Sequence, residues 1–277
     1  MTGVPDLTEM LSVIDSEART RDDIFTGPAL PTPHGRSFGE TAPEGRELHS
    51  MHCYFLRPGD AEQRMTFEVA RLYDGRSFST RRVQAYQGGE VLMSLIASFQ
   101  EPTEGMEHQE PFDVGSIAPP ESLPTVWETY GHLADGGRAS WVLNRPFDIR
   151  YIDPDILLRV EEPANTQRVW LRSRDDLPGG RLLHSAALAF ASDYLLVEPI
   201  LRRHGIPWAT PGLRAASLDH AMWFHRPFRV DDWLLYVLET PTSQGGRGLS
   251  FGRFYDREGA LVASVAQEVM IRRPEAM

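Results

Sequence analysis

Asp193 is the residue whose setting is hardest to explain without chemistry. It stands in the run Leu182 to Val197, which has no other formally charged residue. The residues one helical turn away, Ala189, Phe190, Leu196 and Val197, are all apolar. A helix apolar on nearly every face is buried, and a carboxylate within it must find hydrogen-bond donors or take up a proton. Such an acid is a candidate for a functional site. An acid that closes a helix-to-strand hydrogen bond, or one at an exposed edge, would read the same way.

The other candidate groups carry weaker chemistry. Gly35-Arg36-Ser37-Phe38-Gly39 has the pattern of a serine nucleophile, which functions on a tight strand-to-helix turn. Pro31 and Pro33 precede it and no helix-length segment follows, so a decoy is expected. His220 and His225 are five apart on an expected strand and point to opposite faces, which argues against a shared metal. His225 reads as a packing position. Gly245-Gly246-Arg247-Gly248 lacks phosphate-loop spacing and reads as a hairpin turn. Cys53, the one cysteine, lies among alternating aromatics and is expected to be an inert buried thiol. No disulfide framework, cysteine-based zinc site or other metal site is expected.

The elements that must position these groups repeat. Cys53-Tyr54-Phe55-Leu56-Arg57-Pro58 aligns with Met222-Trp223-Phe224-His225-Arg226-Pro227 at a constant offset. Arg76, Ser79, Arg82, Gly88 and Ser94 align with Arg247, Ser250, Arg253, Gly259 and Ser264 at nearly the same offset. This implies two similar units in tandem: residues 1–105 with an N-terminal helix over 7–19, a linker over 106–145, and a second unit over 146–277, with acidic proline-rich linker composition over 101–125. Strands are expected from His49 to Gln100, around 147–151 and 168–171, and over 213–227, 233–240, 248–256 and 261–272. A single long helix is expected from about Leu182 to His204, ending at Gly205. One helix followed by four antiparallel strands is the order of a curved sheet wrapped around a helix.

A formal net charge of -11 argues against a nucleic-acid partner. The absence of lysine removes Schiff-base and P-loop chemistry. No signal peptide is visible at Met1-Thr2-Gly3-Val4-Pro5-Asp6, and no apolar stretch is long enough to insert in a bilayer, so a cytoplasmic protein is expected.

With helix, strands and repeat in place, the chain resembles the acyl-CoA thioesterase II family. The residues that carry the resemblance are Ser217-Leu218-Asp219-His220-Ala221-Met222-Trp223-Phe224-His225-Arg226-Pro227-Phe228, Ala191-Ser192-Asp193, Tyr54 to Asp60 and Leu261 to Glu268. The resemblance implies an α+β double hotdog, two tandem antiparallel sheets each wrapped around a helix. It implies hydrolysis of acyl-CoA to a fatty acid and coenzyme A without a cofactor, and a homo-oligomer. It also implies a water-activating set that falls on Asp193, Ser217 and Gln267. Burial is expected to raise the proton affinity of Asp193, and its hydrogen bonds to keep it anionic enough to act.

At the repeat offsets Ser217 corresponds to Leu48 and Gln267 to Ala97, so the first unit is expected to be catalytically silent. One departure stands out. Glu40 to Glu47 leads almost directly into the strand at His49, leaving the first unit's helix shortened or missing. An incomplete first unit admits a competing function, a non-catalytic acyl-CoA binding or regulatory protein. A hotdog hydratase would need an Asp–His pair that is not evident on the second unit's helix.

Overall fold

The structure, a computed structural model, describes residues 6–11, 14–19, 23–27, 41–60, 62–136 and 140–273. The first half contains α1 (Leu7–Met10), β1 (Ile14–Arg19), β2 (Asp23–Gly27), β3 (Glu47–Phe55), β4 (Met65–Asp74), β5 (Phe78–Gln87) and β6 (Glu90–Gln100). The second contains α2 (Val126–Tyr130), α3 (Ser140–Leu143), β7 (Phe147–Tyr151), β8 (Thr166–Ser173), α4 (Arg181–Asp193) and α5 (Glu198–Arg203). Strands β9 (Arg214–Ser217), β10 (Asp219–Phe224), β11 (Leu234–Gln244), β12 (Arg247–Tyr255) and β13 (Leu261–Arg272) complete it. The serine motif at 35–39 lies outside the described residues.

The strands join in one antiparallel sheet in the order β1-β2-β4-β5-β6-β3-β10-β13-β12-β11-β8-β7, with β9 also on β13. The order reads as a palindrome about the β3–β10 seam, as expected for two copies of one unit packed edge to edge. The register makes this specific. His52 pairs with Ala221, its own counterpart at the repeat offset, while the pairs Met51–Met222 and Cys53–His220 exchange under the same operation. A pseudo-twofold axis therefore passes through the seam.

Helix α4 is buried from His184 through Ser192 and rests against β3 and β10, so it covers the seam rather than one sheet. Arg181, at its start, is ion-paired with Glu47 of the first half. Each fully buried Leu or Phe on such a surface contributes about 2 kcal/mol. The main hydrophobic cluster among the described residues runs from Leu7, Met10 and Leu11 through β3–β6 and α4 to the strands of the second half.

Three expectations are corrected. The helix over 7–19 stops at Met10, and residues 14–19 instead pair with β2, supplying its backbone with partners at the sheet edge. The single helix over 182–204 is two, α4 and α5, separated by a turn at 194–197. Pro199 is the cause: it has no N–H to donate and fits the first turn of a new helix, α5, rather than the interior of an old one. The strand over 213–227 is broken at Leu218 into β9 and β10.

The connection from β8 to β9 covers 174–213 and holds both α4 and α5; in its counterpart from β2 to β3, where the first unit's helix is expected to be shortened or missing, residues 28–40 lie outside the described residues. The acidic proline-rich passage, despite its linker composition, docks on the second half. Gln109 bridges Gly259 and Leu261, Phe112 stacks on Tyr255 at 4.1 Å, and Trp170 donates to the Ala118 carbonyl at 2.9 Å.

Candidate active site

Asp193 is the last residue of α4, so its half-buried carboxylate emerges where the helix ends instead of lying mid-helix. A carboxylate is disfavoured at the negative end of a helix dipole and needs donors from elsewhere. Two arrive. The Ser217 hydroxyl donates to Asp193 Oδ1 at 2.8 Å, and Gln267 Nε2 donates to the same oxygen at 2.8 Å. Gln267 Nε2 also donates to Ser217 Oγ at 2.8 Å, closing a triangle. The other carboxylate oxygen, Oδ2, receives no hydrogen bond from the described residues.

Backbone irregularity brings this set together. Ser217 pairs with Val269 and Ala221 with Ala266, so β9–β10 spends one residue more than β13 between those pairs. That is a β-bulge at Leu218, whose N–H goes to Glu268 O and whose carbonyl accepts from Phe55 N. Asp219 Oδ1 steadies it by accepting from Glu268 N at 2.7 Å. In an unbroken strand Ser217 and His220 would face opposite sides. The bulge turns both inward. The first half keeps the equivalent bulge, between Leu48 and Ser50 on β3, but presents Leu48, Met51 and Ala97 there, all buried and apolar.

His220 joins this network from β10. It is fully buried, its Nδ1 lies 2.5 Å from Gln267 Oε1, and its Nε2 lies 3.0 Å from Ser192 Oγ. Burial pushes its pKa down, against the opposing pull of Asp193, so the ring is neutral. His225 is exposed on the other face and bonds Ser264. Cys53, opposite His220 across the seam, is held as a thiol far above its usual range by burial, then by the charges of Asp193 and Asp219. Tyr194, next to the carboxylate, is pushed up to about 12 by burial. No group of three metal-ligating side chains occurs among the described residues.

The arrangement is a carboxylate held by a hydroxyl and an amide at the seam of a duplicated sheet. The duplicated antiparallel sheet packed on a buried helix defines a class, the hotdog proteins. The chain is similar in fold to a hotdog protein of unknown function from Alicyclobacillus acidocaldarius, with a TM-score of 0.73 at 17% identity over 97% of this chain and 98% of that one. It is similar to the crystal structure of an acyl-CoA thioesterase II from Mycobacterium marinum, with a TM-score of 0.78 and 38% identity over 98% of both chains. Human acyl-coenzyme A thioesterase 8 is 34% identical across 91% of this chain and 85% of its own length. Residues 35–100 match the acyl-CoA thioesterase N-terminal domain and residues 120–271 the acyl-CoA thioesterase C-terminal domain. The chain belongs to the acyl-CoA thioesterase family.

Proposed function

We propose that Asp193, Ser217 and Gln267 hold and activate the water with which this acyl-CoA thioester hydrolase cleaves its substrate. The observation that carries the reading is the triangle itself. Both donors converge on Asp193 Oδ1, which orients the carboxylate and leaves Oδ2 to accept from water.

A thioester carbonyl is electrophilic enough for direct attack. Asp193 takes a proton as the water oxygen bonds to the carbonyl carbon, giving a tetrahedral oxyanion. Collapse breaks the carbon–sulfur bond. The sulfur leaves with the proton that Asp193 had taken, so the products are a free acid and coenzyme A with its thiol. A positioned general base contributes roughly 10²–10⁴-fold. Asp193→Asn keeps the shape and removes the base, so thiol release from acyl-CoA, followed with a thiol-reactive dye, should fall by that factor at unchanged thermal midpoint. Near-normal release would reject the assignment.

A reducing, cytoplasmic setting agrees with the single buried cysteine, and no helix among the described residues is long and apolar enough to cross a membrane. A homo-oligomer is supported by the exposed Tyr54, Ile96, Trp223 and Phe251 on strands near the seam. Light scattering of the purified protein tests it; a monomer at micromolar concentration would rule it out.

A further inference from the structure

We propose that His220 is a positioning residue that keys the Gln267 amide, so that nitrogen rather than oxygen faces Asp193. The inference rests on the reading of Asp193, Ser217 and Gln267 as the water-activating set.

The polarity of the network follows from its charged end. Asp193 Oδ1 can only accept, so the Gln267 atom at 2.8 Å from it must be the amide nitrogen. Gln267 Oε1 then points away from the carboxylate and toward His220 Nδ1, and an amide oxygen accepts. The proton between them belongs to His220 Nδ1. A neutral ring with its proton on Nδ1 has a bare Nε2, and Ser192 Oγ lies 3.0 Å from it and 2.9 Å from the Ala189 carbonyl, the two acceptors that share its one hydroxyl hydrogen. Tyr236 fixes that serine by donating to its carbonyl at 3.0 Å. One directional chain results, from His220 through Gln267 to Asp193.

The alternative amide rotamer would set Oε1 against the carboxylate and leave a buried Nε2 facing His220. Gln267 and His220 are almost fully buried, so water offers little compensation for an unmade bond. His220 thereby makes the wrong rotamer costly without touching the substrate. The first half shows the same site without this need: Met51 stands at the position of His220, paired in register with Ala97.

Asparagine carries an amide nitrogen near the position of His Nδ1, and glutamine near that of Nε2. The test compares His220→Asn and His220→Gln in the full chain, with lauroyl-CoA as substrate and Asp193→Asn alongside. His220→Asn keeps the donor to Gln267 and should retain kcat within about fivefold. His220→Gln loses it and should lower kcat roughly 10–100-fold with KM within about threefold, the range for a bond at the end of a charged network. Equal kcat in the two variants, or the reverse order, overturns the proposal. Should Asp193→Asn remain active, the water-activating set fails instead, a result separable from this one. Nitrogen-15 NMR of the histidines in the wild-type chain gives an independent readout if either variant fails to fold. A neutral His220 protonated on Nδ1 supports the proposal, and one protonated on Nε2 overturns it.

Discussion

Gln267 reaches Asp193 from β13, its amide nitrogen 2.8 Å from the same carboxylate oxygen that the Ser217 hydroxyl holds. Two donors on one oxygen make the contributions of Ser217 and Gln267 separable. Ser217→Ala removes one donor and leaves Gln267 in place; Ser217→Thr keeps the hydroxyl. A hydrogen bond to a charged group is worth about 1.5–3 kcal/mol, so Ser217→Ala should lower kcat roughly 10–100-fold. Ser217→Thr should stay within about fivefold of wild type. Steady-state thiol release measures both, and equal losses in the two would show that the hydroxyl does not matter.

Leu48 occupies in β3 the position that Ser217 occupies beside β10, on an equivalent bulge, and is buried. If the first half is silent, Leu48→Ala should act through packing. Deleting its buried methyl groups should cost about 2–4 kcal/mol in urea unfolding. The kcat of the folded fraction should stay within about twofold. A loss of kcat matching that of Ser217→Ala would place the first half in the chemistry.

Much of this was legible in the sequence because the repeat offset is a backbone quantity. Strand pairs such as His52–Ala221 realise it directly, and Asp193 was marked by being the lone charge in an apolar run. What escaped has local physical causes. Pro199 falls inside the expected single helix, but its missing N–H suits it to the first turn of α5, which begins at Glu198. The bulge at Leu218 leaves no mark in the apolar pattern, since it shifts phase by one residue between two strands that each look regular. His220 had a usable signal. It is in phase with the inward-facing Met222 and Phe224, as Gln267 is with Val265 and Val269. A polar residue on the buried phase of a strand asks for a partner, and these two are partners.

Gly252 has no room for a side chain. A Cβ there would lie 2.4 Å from Tyr236 Cε2 and 2.8 Å from Val265 Cγ1. Tyr236 is fully buried, stacks on Phe254 at 3.9 Å and holds the Ser192 carbonyl through its hydroxyl. Gly252→Ala should therefore displace the ring and loosen the end of α4 that carries Asp193. Overpacking of this kind costs about 1–3 kcal/mol. Thermal unfolding should show the loss together with a lower kcat. Wild-type stability would mean that Tyr236 can move aside freely.

Glu198 gives the molecule a pH dependence of stability with an unusual sign. Its carboxylate is fully buried, and burial raises its pKa from 4.5 to about 7 despite the Arg145 charge and the donors Trp208 and Tyr151. Among the described residues Oε2 has no hydrogen-bond partner. Between pH 4.5 and about 7 the folded chain holds a proton that the unfolded chain has released. Stability from this group is thus complete at the acid end of that window and is lost as pH rises through it, by up to about 3 kcal/mol. Glu198→Gln keeps an oxygen for Tyr151 and Trp208 and cannot ionise. The difference in unfolding free energy between variant and wild type should grow in the variant's favour from pH 5 to pH 8. A difference that stays flat across that range would show that Glu198 is ionised in the folded state throughout.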